Sequence, residues 1–213
     1  MNAKIEPRGS RNILAPDNDE KSSACADWIA LDVEGNRAAQ KYSLSEQLLR
    51  VSWSVVGYLA LRFSPRPFFV WRRLVLRLFG AQIGRHVHVY PSVTIYMPWN
   101  LRVDDWAAIG EHVYIYNLGN VHIGKAATVS YRAHICAGTH DFDDPTCPLL
   151  KPPVTIEDGA WIGTDAFIGP NVTVGNNAMV GARAVVVKSV AENHVVVGNP
   201  ARTIRIRDVR QKS

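Results

Sequence analysis

Histidine is the side chain that takes and returns a proton most readily near neutral pH, and His140 stands where that property could be used. It closes a regularly patterned stretch and opens another, HDFDDPTCPLLKPP, that is too polar and proline-rich to continue the pattern. Such an interruption can open a pocket, and loops on rigid scaffolds commonly carry function. Asp141 and Asp143 follow at once. Either could fix the imidazole tautomer or bind a polar ligand, although loop aspartates are often simply solvated. His112, His122 and His134 raise the question of a metal, since zinc chemistry needs three such ligands to converge. His122 and His134 each precede an aliphatic residue but lie twelve apart, which predicts different faces of the fold and no metal site. Neither GxxxxGK[ST] nor GxGxxG occurs, so no phosphate-cradling loop of those kinds is expected.

The elements that must position His140 follow from the pattern around it. From residue 83 aliphatics recur every six: Ile83, Val89, Ile95 and Leu101; after a slip of two, Val103, Ile109, Ile115 and Val121; after another, Ile123, Val129 and Ile135. Beyond the break, Ile156, Ile162, Ile168, Val174, Val180 and Val186 keep the same interval, each followed four residues later by a small or β-branched residue. Six is a multiple of the strand period and not of 3.6, so these residues share one side of an extended chain and not of an α-helix. The pattern suits a solenoid that turns a corner every six residues, with parallel strands stacked about 4.8 Å apart.

Before the solenoid, residues 1–44 are polar and aperiodic and are expected to form a mobile tail. Residues 45–80 carry two apolar runs split by Ser64-Pro65-Arg66-Pro67, predicting two amphipathic helices with a proline break, capped by Ser43 or Ser45. They could seal the open end of the solenoid. They could also lie on a membrane, with arginines on lipid phosphates and Trp53, Tyr58 and Trp71 at the interface. Between Glu46 and Asp104 there is no acidic residue and there are eight arginines, which favours an anionic partner. Three cysteines without CxxC spacing argue against a disulfide framework and fit a reducing cytoplasm. Met1 to Ser23 lack an apolar h-region, so no secretory signal is expected, and no run reaches the roughly 18 apolar residues of a spanning helix.

The hexads IGTDAF, IGPNVT, VGNNAM and VGARAV match aliphatic–Gly–x–x–small–x, and with them the chain resembles the hexapeptide-repeat acyltransferases. The resemblance implies an all-β, left-handed parallel β-helix over 81–207, preceded by the helices of 45–80 and followed by a basic tail at 208–213. It also implies a homotrimer with active sites between neighbouring helices. ICAGTHDF, PPVTIEDGAWIG and GNPARTIR, together with RLVLRLFGAQIG, PSVTIYMPWNLRV and YIYNLGNVHIG, are similar to the O-acetyltransferases of colanic acid and related exopolysaccharide pathways over about residues 60–207. On that resemblance His140 is the general base, Asp141 its companion, and Asn117 and Asp143 contact the acceptor, with loop 141–153 helping to form its pocket. Acetyl-CoA is the co-substrate. Its thioester end is expected near Trp161, Gly163 and Thr164, its pantetheine arm along Gly181 and Ala182, and its nucleotide at Lys188, Arg202 and Arg205. Val187 departs from the family, standing where relatives carry a hydroxyl residue.

The implied activity is O-acetylation of a sugar in a cell-surface polysaccharide precursor, with a sugar or lipid-linked oligosaccharide as acceptor. The expected site is cytoplasmic, with peripheral contact on the inner face of the membrane. A small diffusible acceptor, such as a free sugar or antibiotic, is the alternative within the same chemistry, and a non-catalytic scaffold subunit is the alternative outside it. The basic residues are not set in a recognisable nucleic-acid fold, so DNA or RNA binding is not expected.

Overall fold

The structure, a computed structural model, describes residues 32–38 and 42–208. Most of the tail expected over 1–44 and most of 208–213 lie outside these residues. Three helices precede the strands: α1 (Val33–Ala38), α2 (Leu44–Arg62) and α3 (Phe69–Leu78). Ser43 caps α2, its Oγ accepting from Glu46 N at 3.2 Å, with Glu46 in the first turn and Arg62 in the last to complement the helix dipole. Pro65 and Pro67 separate α2 from α3 as the sequence predicts.

The strands form a parallel β-helix with three faces. The first face stacks Gln82–Ile83, Leu101–Val103, Val121–Ile123, Val154–Ile156 and Thr173–Val174. The second stacks His88–Val89, Ala108–Ile109, Thr128–Val129, Trp161–Ile162, Met179–Val180 and His194–Val197, and Arg202–Ile206 closes it antiparallel. The third stacks Thr94–Ile95, Tyr114–Tyr116, His134–Cys136, Phe167–Ile168 and Val185–Val186. The hexad aliphatics point inward. Ile109, Ile115, Ile123, Val129, Ile135, Ile156, Ile162 and Ile168 are all fully buried, with the small residues Ala107, Ala127, Ala133, Ala166, Ala178 and Ala184 beneath the corners. Truncating one such isoleucine to alanine costs about 2–5 kcal/mol, because stacked coils leave little room to collapse around the void.

The strand register explains the slips of two. Ile83 pairs with Val103 and Leu101 with Val121, twenty residues per coil, whereas Ile156 pairs with Val174, eighteen residues on. The two extra residues always enter where the third face hands over to the first. There Pro98–Asn100 makes a short 3-10 turn, and the next coil passes through Asn117–Asn120. One coil later, Val121 pairs with Val154 across thirty-three residues, and the excess over eighteen is the loop that begins after His140. The chain therefore absorbs all of its irregularity at one corner.

The helices seal the first coil with side chains. Arg77 donates to Ile83 O and Gly84 O, Arg73 to Val87 O and Arg72 to Val89 O, while Trp53 Nε1 donates to Ile95 O at 2.7 Å. Every face thus has a first-strand carbonyl capped by a donor from α2 or α3. Arg72 is fully buried and also reaches Ser64 Oγ, Pro65 O and Arg66 O. Burial pushes its guanidinium below the ordinary arginine value. Three of the arginines expected on lipid phosphates are therefore committed to backbone carbonyls. Among the described residues no helix is long and apolar enough to cross a membrane.

Candidate active site

His140 ends the short strand Thr139–His140, which pairs antiparallel with Leu149–Leu150 so that the loop between them is the tip of a hairpin. The imidazole is exposed, and its Nδ1 lies 2.7 Å from Cys147 O. A carbonyl can only accept, so Nδ1 carries a proton in this contact, and in the neutral ring that choice leaves the lone pair on Nε2. The tautomer-fixing role expected of Asp141 falls to Cys147. Asp141 Oδ1 instead accepts from Asp143 N at 3.2 Å, and Asp141 N donates to Pro148 O. Cys147 adopts a left-handed φ of 42°, and its N–H is held by Asp144 O. Asp144 in turn accepts from both the N–H and the hydroxyl of Thr146, which hold its carboxyl below the usual range.

The segment before α2 touches this loop. Asp32 N donates to Pro145 O, and Asn36 Nδ2 donates to Cys147 O at 2.8 Å and also to Thr146 O. The carbonyl that orients His140 is thus shared with an asparagine more than a hundred residues away. Its polar, aperiodic surroundings gave no hint of this in the sequence.

Asn117 corrects a prediction. It is fully buried, its Oδ1 accepting from Met97 N at 2.9 Å and its Nδ2 donating to Met97 O. Asn100 Nδ2 donates to Leu118 O at 2.8 Å, so the two asparagines tie together the corners of successive coils. Fully buried and bonded to Met97 through both amide atoms, Asn117 is a fixed point of the coil. Asp143 sits exposed at the hairpin tip.

Beside this corner lies an aromatic and cationic group. The Arg50 guanidinium stacks 4.2 Å over Tyr42 and donates to the Tyr96 hydroxyl, Lys151 Nζ lies 4.7 Å from the Tyr42 ring centroid, and Tyr96 meets Tyr116 with ring centroids 5.0 Å apart. Burial, then the neighbouring phenols Tyr96 and Tyr42, pushes the Tyr116 hydroxyl above its ordinary pKa. A cavity of about 900 Å³ runs from here between α2 and the coils, lined in part by Tyr42, Arg50, Trp53, Gly57, Tyr96 and His112. The sequence offered no role for Tyr42, Tyr96 or Tyr116, although Tyr96 and Tyr116 stand one twenty-residue coil apart and could have been found by that spacing.

Of the residues expected around acetyl-CoA, all but Lys188 gather on the second face and at the corner where it turns into the third. Trp161 is exposed, its Nε1 donating to Ser130 Oγ at 2.8 Å. Gly163 and Gly181 stack directly, since Gly163 N donates to Val180 O and a Cβ on Gly163 would lie 2.7 Å from Ala182 N. Thr164 and Ala182 are exposed beside them. Arg202 and Arg205 follow on the strand paired with His194–Val197, at Val197 and Val195. Lys188 lies exposed on the turn after Val185–Val186, at the third-to-first corner. A surface of stacked glycine backbone with cations at one end suits a thin amide arm carrying phosphates. His140 and this column therefore occupy different corners of one chain, separated by the third face.

The remaining histidines do not converge. His122 Nε2 lies 2.7 Å from Asp104 Oδ2 on the first face, while His134 packs edge-on between Tyr114 and Phe167 on the third. Burial raises the Asp104 carboxyl, but hydrogen bonds from His122 and Arg102 more than offset this. Burial holds the His134 imidazole below its ordinary value, and its buried Nε2 has no partner among the described residues. No group of three potential metal ligands occurs among the described residues.

Comparison with known proteins agrees with this architecture. Residues 153–188 match the family described as "Bacterial transferase hexapeptide (six repeats)". WcaF of Escherichia coli (strain K12), named as a colanic acid biosynthesis acetyltransferase, is 40% identical over 155 residues, covering 73% of this chain and 85% of that protein. In fold, the chain is similar to the hexapeptide-repeat acetyltransferase VCA0836 of Vibrio cholerae O1 biovar eltor, crystallised with acetyl-CoA. The TM-score is 0.73 at 23% identity, over 79% of this chain and 92% of that one. A maltose O-acetyltransferase from Clostridium difficile 630 gives a TM-score of 0.70 at 23% identity, over 84% and 98% of the two chains. With the repeat, the coils and this level of identity together, the chain belongs to the hexapeptide-repeat acetyltransferases.

Proposed function

We propose that the protein transfers an acetyl group from acetyl-CoA to a sugar hydroxyl of a cell-surface polysaccharide precursor, with His140 as general base. The observation that carries this reading is the hydrogen bond from His140 Nδ1 to Cys147 O, which in the neutral ring leaves the lone pair on Nε2, on an exposed residue at the foot of the loop hairpin. Acetyl-CoA supplies an activated thioester. His140 Nε2 takes the proton of the acceptor hydroxyl as its oxygen attacks the thioester carbonyl, and returns that proton to the departing sulfur. Trp161, Gly163, Thr164, Gly181 and Ala182 hold the arm, and Arg202, Arg205 and Lys188 meet the phosphates. Asp143, at the hairpin tip, faces the acceptor. The polysaccharide assignment draws on the 40% identity to WcaF.

Because the base and the acetyl-CoA column occupy different corners of one chain, a complete site requires two copies, and a homotrimer supplies three such junctions. Acetyl-CoA as donor makes the cytoplasm the place of reaction. The test is thiol release from acetyl-CoA by wild type and His140→Ala, against free sugars and lipid-linked sugar phosphates. Release that depends on a lipid-linked sugar and collapses in the variant supports the reading. Release with free sugars alone points to a diffusible acceptor, and turnover unchanged in the variant removes His140 from the mechanism.

A further inference from the structure

We infer that the outward faces of α2 and α3 dock on an anionic lipid bilayer surface, lying in its plane. The inference goes beyond the acetyl-transfer reading and does not depend on it. A helix that packs on a core usually turns a polar face to water, and α2 does not. Its inner face buries Trp53, Gly57 and Leu61. Its outer face carries Leu44, Leu48, Val51, Val55 and Leu59, at intervals that keep them on one side of the helix, with exposures from 54% to 75%. On α3, Val70, Leu74 and Leu78 form a second exposed stripe at i, i+4 and i+8. Trp71, itself 45% exposed, donates its indole N–H to Ala60 O at 2.9 Å, so the two helices meet at that indole.

Of the twenty-three exposed large apolar side chains among the described residues, fourteen fall between Leu44 and Leu78. Single exposed apolar residues need no explanation, but a concentration of this kind marks an interaction surface. The helices are not of the kind that spans a membrane, which leaves an interfacial position as the membrane geometry.

Charge decides the occupant. No acidic residue occurs between Glu46 and Asp104, and Arg62 stands in line with the Leu44–Leu59 stripe at the helix end. A self-complementary contact between copies would set these surfaces, and the Arg62 of each, against each other with almost no carboxylate to neutralise that cation. A bilayer rich in anionic headgroups meets both the apolar stripe and the cation at its end. The α3 arginines play no part, since Arg72, Arg73 and Arg77 are spent on the first coil. The apolar faces carry the contact.

The test is flotation of the full protein with phosphatidylcholine vesicles, with and without phosphatidylglycerol, and size measurement in lipid-free buffer. Wild type is expected to float with the anionic vesicles and much less with the neutral ones. Leu48→Glu/Val55→Glu, at two exposed positions, is expected to reduce flotation roughly tenfold or more while keeping the wild-type circular dichroism melt. If that pair lowers the melt, Leu48→Ser/Val55→Ser serves in its place. Absence of flotation at low salt overturns the inference. So does a concentration-dependent assembly without lipid that the variant dissolves, which would assign the face to another copy of this chain.

Discussion

Two corners of the same prism follow opposite rules. Where the second face turns into the third, Gly163 and Gly181 stack so closely that a Cβ on Gly163 would meet the backbone of the next coil, and the spacing there follows the hexads. Where the third face turns into the first, the chain gains two residues, then two again, then a whole hairpin. Each corner joins two strands of the stack, and a loop at either can rejoin the register because loop length is entropically inexpensive. This chain uses the second corner in that way. Regular stacking brings the glycines of successive coils into contact, and tolerated irregularity places His140 on a hairpin.

The sharpest test separates the two by readout. His140→Ala should lower acceptor-dependent turnover by about 10²–10⁴-fold and leave acetyl-CoA affinity, read by calorimetry, near wild type. Gly181→Val should do the reverse. A Cβ there already lies 2.6 Å from Val197 Cγ1, so the added bulk should weaken acetyl-CoA binding by roughly tenfold or more, one good contact's worth. If both variants lose both properties equally, the division between corners fails.

The next contrast is in stability. Gly163→Ala forces its methyl against backbone and should cost about 1–3 kcal/mol in chemical denaturation. Two glycines inserted between Asp143 and Asp144 should cost less than about 1 kcal/mol. Equal losses would mean that the hairpin is as tightly held as the stacked glycines.

Asn117→Ala tests whether the irregular corner has its own fixed points. Leaving Met97 N without its partner, while Met97 O keeps only the Asn100 N–H, should cost about 1–3 kcal/mol, with turnover per folded molecule unchanged. A fall in turnover without a change in melting would return Asn117 to the acceptor. The smallest effect is expected from Asn36→Ala, a loss of a few-fold in turnover with acetyl-CoA binding intact, about the worth of one hydrogen bond. No change would show that Cys147 O orients His140 unaided.

The repeat made the solenoid legible because a period of six constrains every inward position, and even the slips at Leu101 and Val121 carried information about coil length. His140 was legible for the opposite reason, as the point where the pattern stops. Its partner was not. Asp141 is adjacent in sequence, but the hairpin turns Cys147 O toward the ring, and a backbone carbonyl leaves no trace in residue type. Asn117 misled because a buried amide and an acceptor-binding amide look alike in a string of letters. Arg72, Arg73 and Arg77 misled likewise, since sequence shows a charge but not whether a carbonyl awaits it.

Those arginines have a consequence for how long the molecule can be. A β-helix is a stack with no intrinsic last layer, and a bare end is a template on which another chain can add strands. Arg72, Arg73, Arg77 and Trp53 occupy the acceptors such an incoming strand would need. They act as chain terminators for a one-dimensional growth process. The cap at the first coil makes this protein a finite particle where the same coils, left open, would seed a fibre.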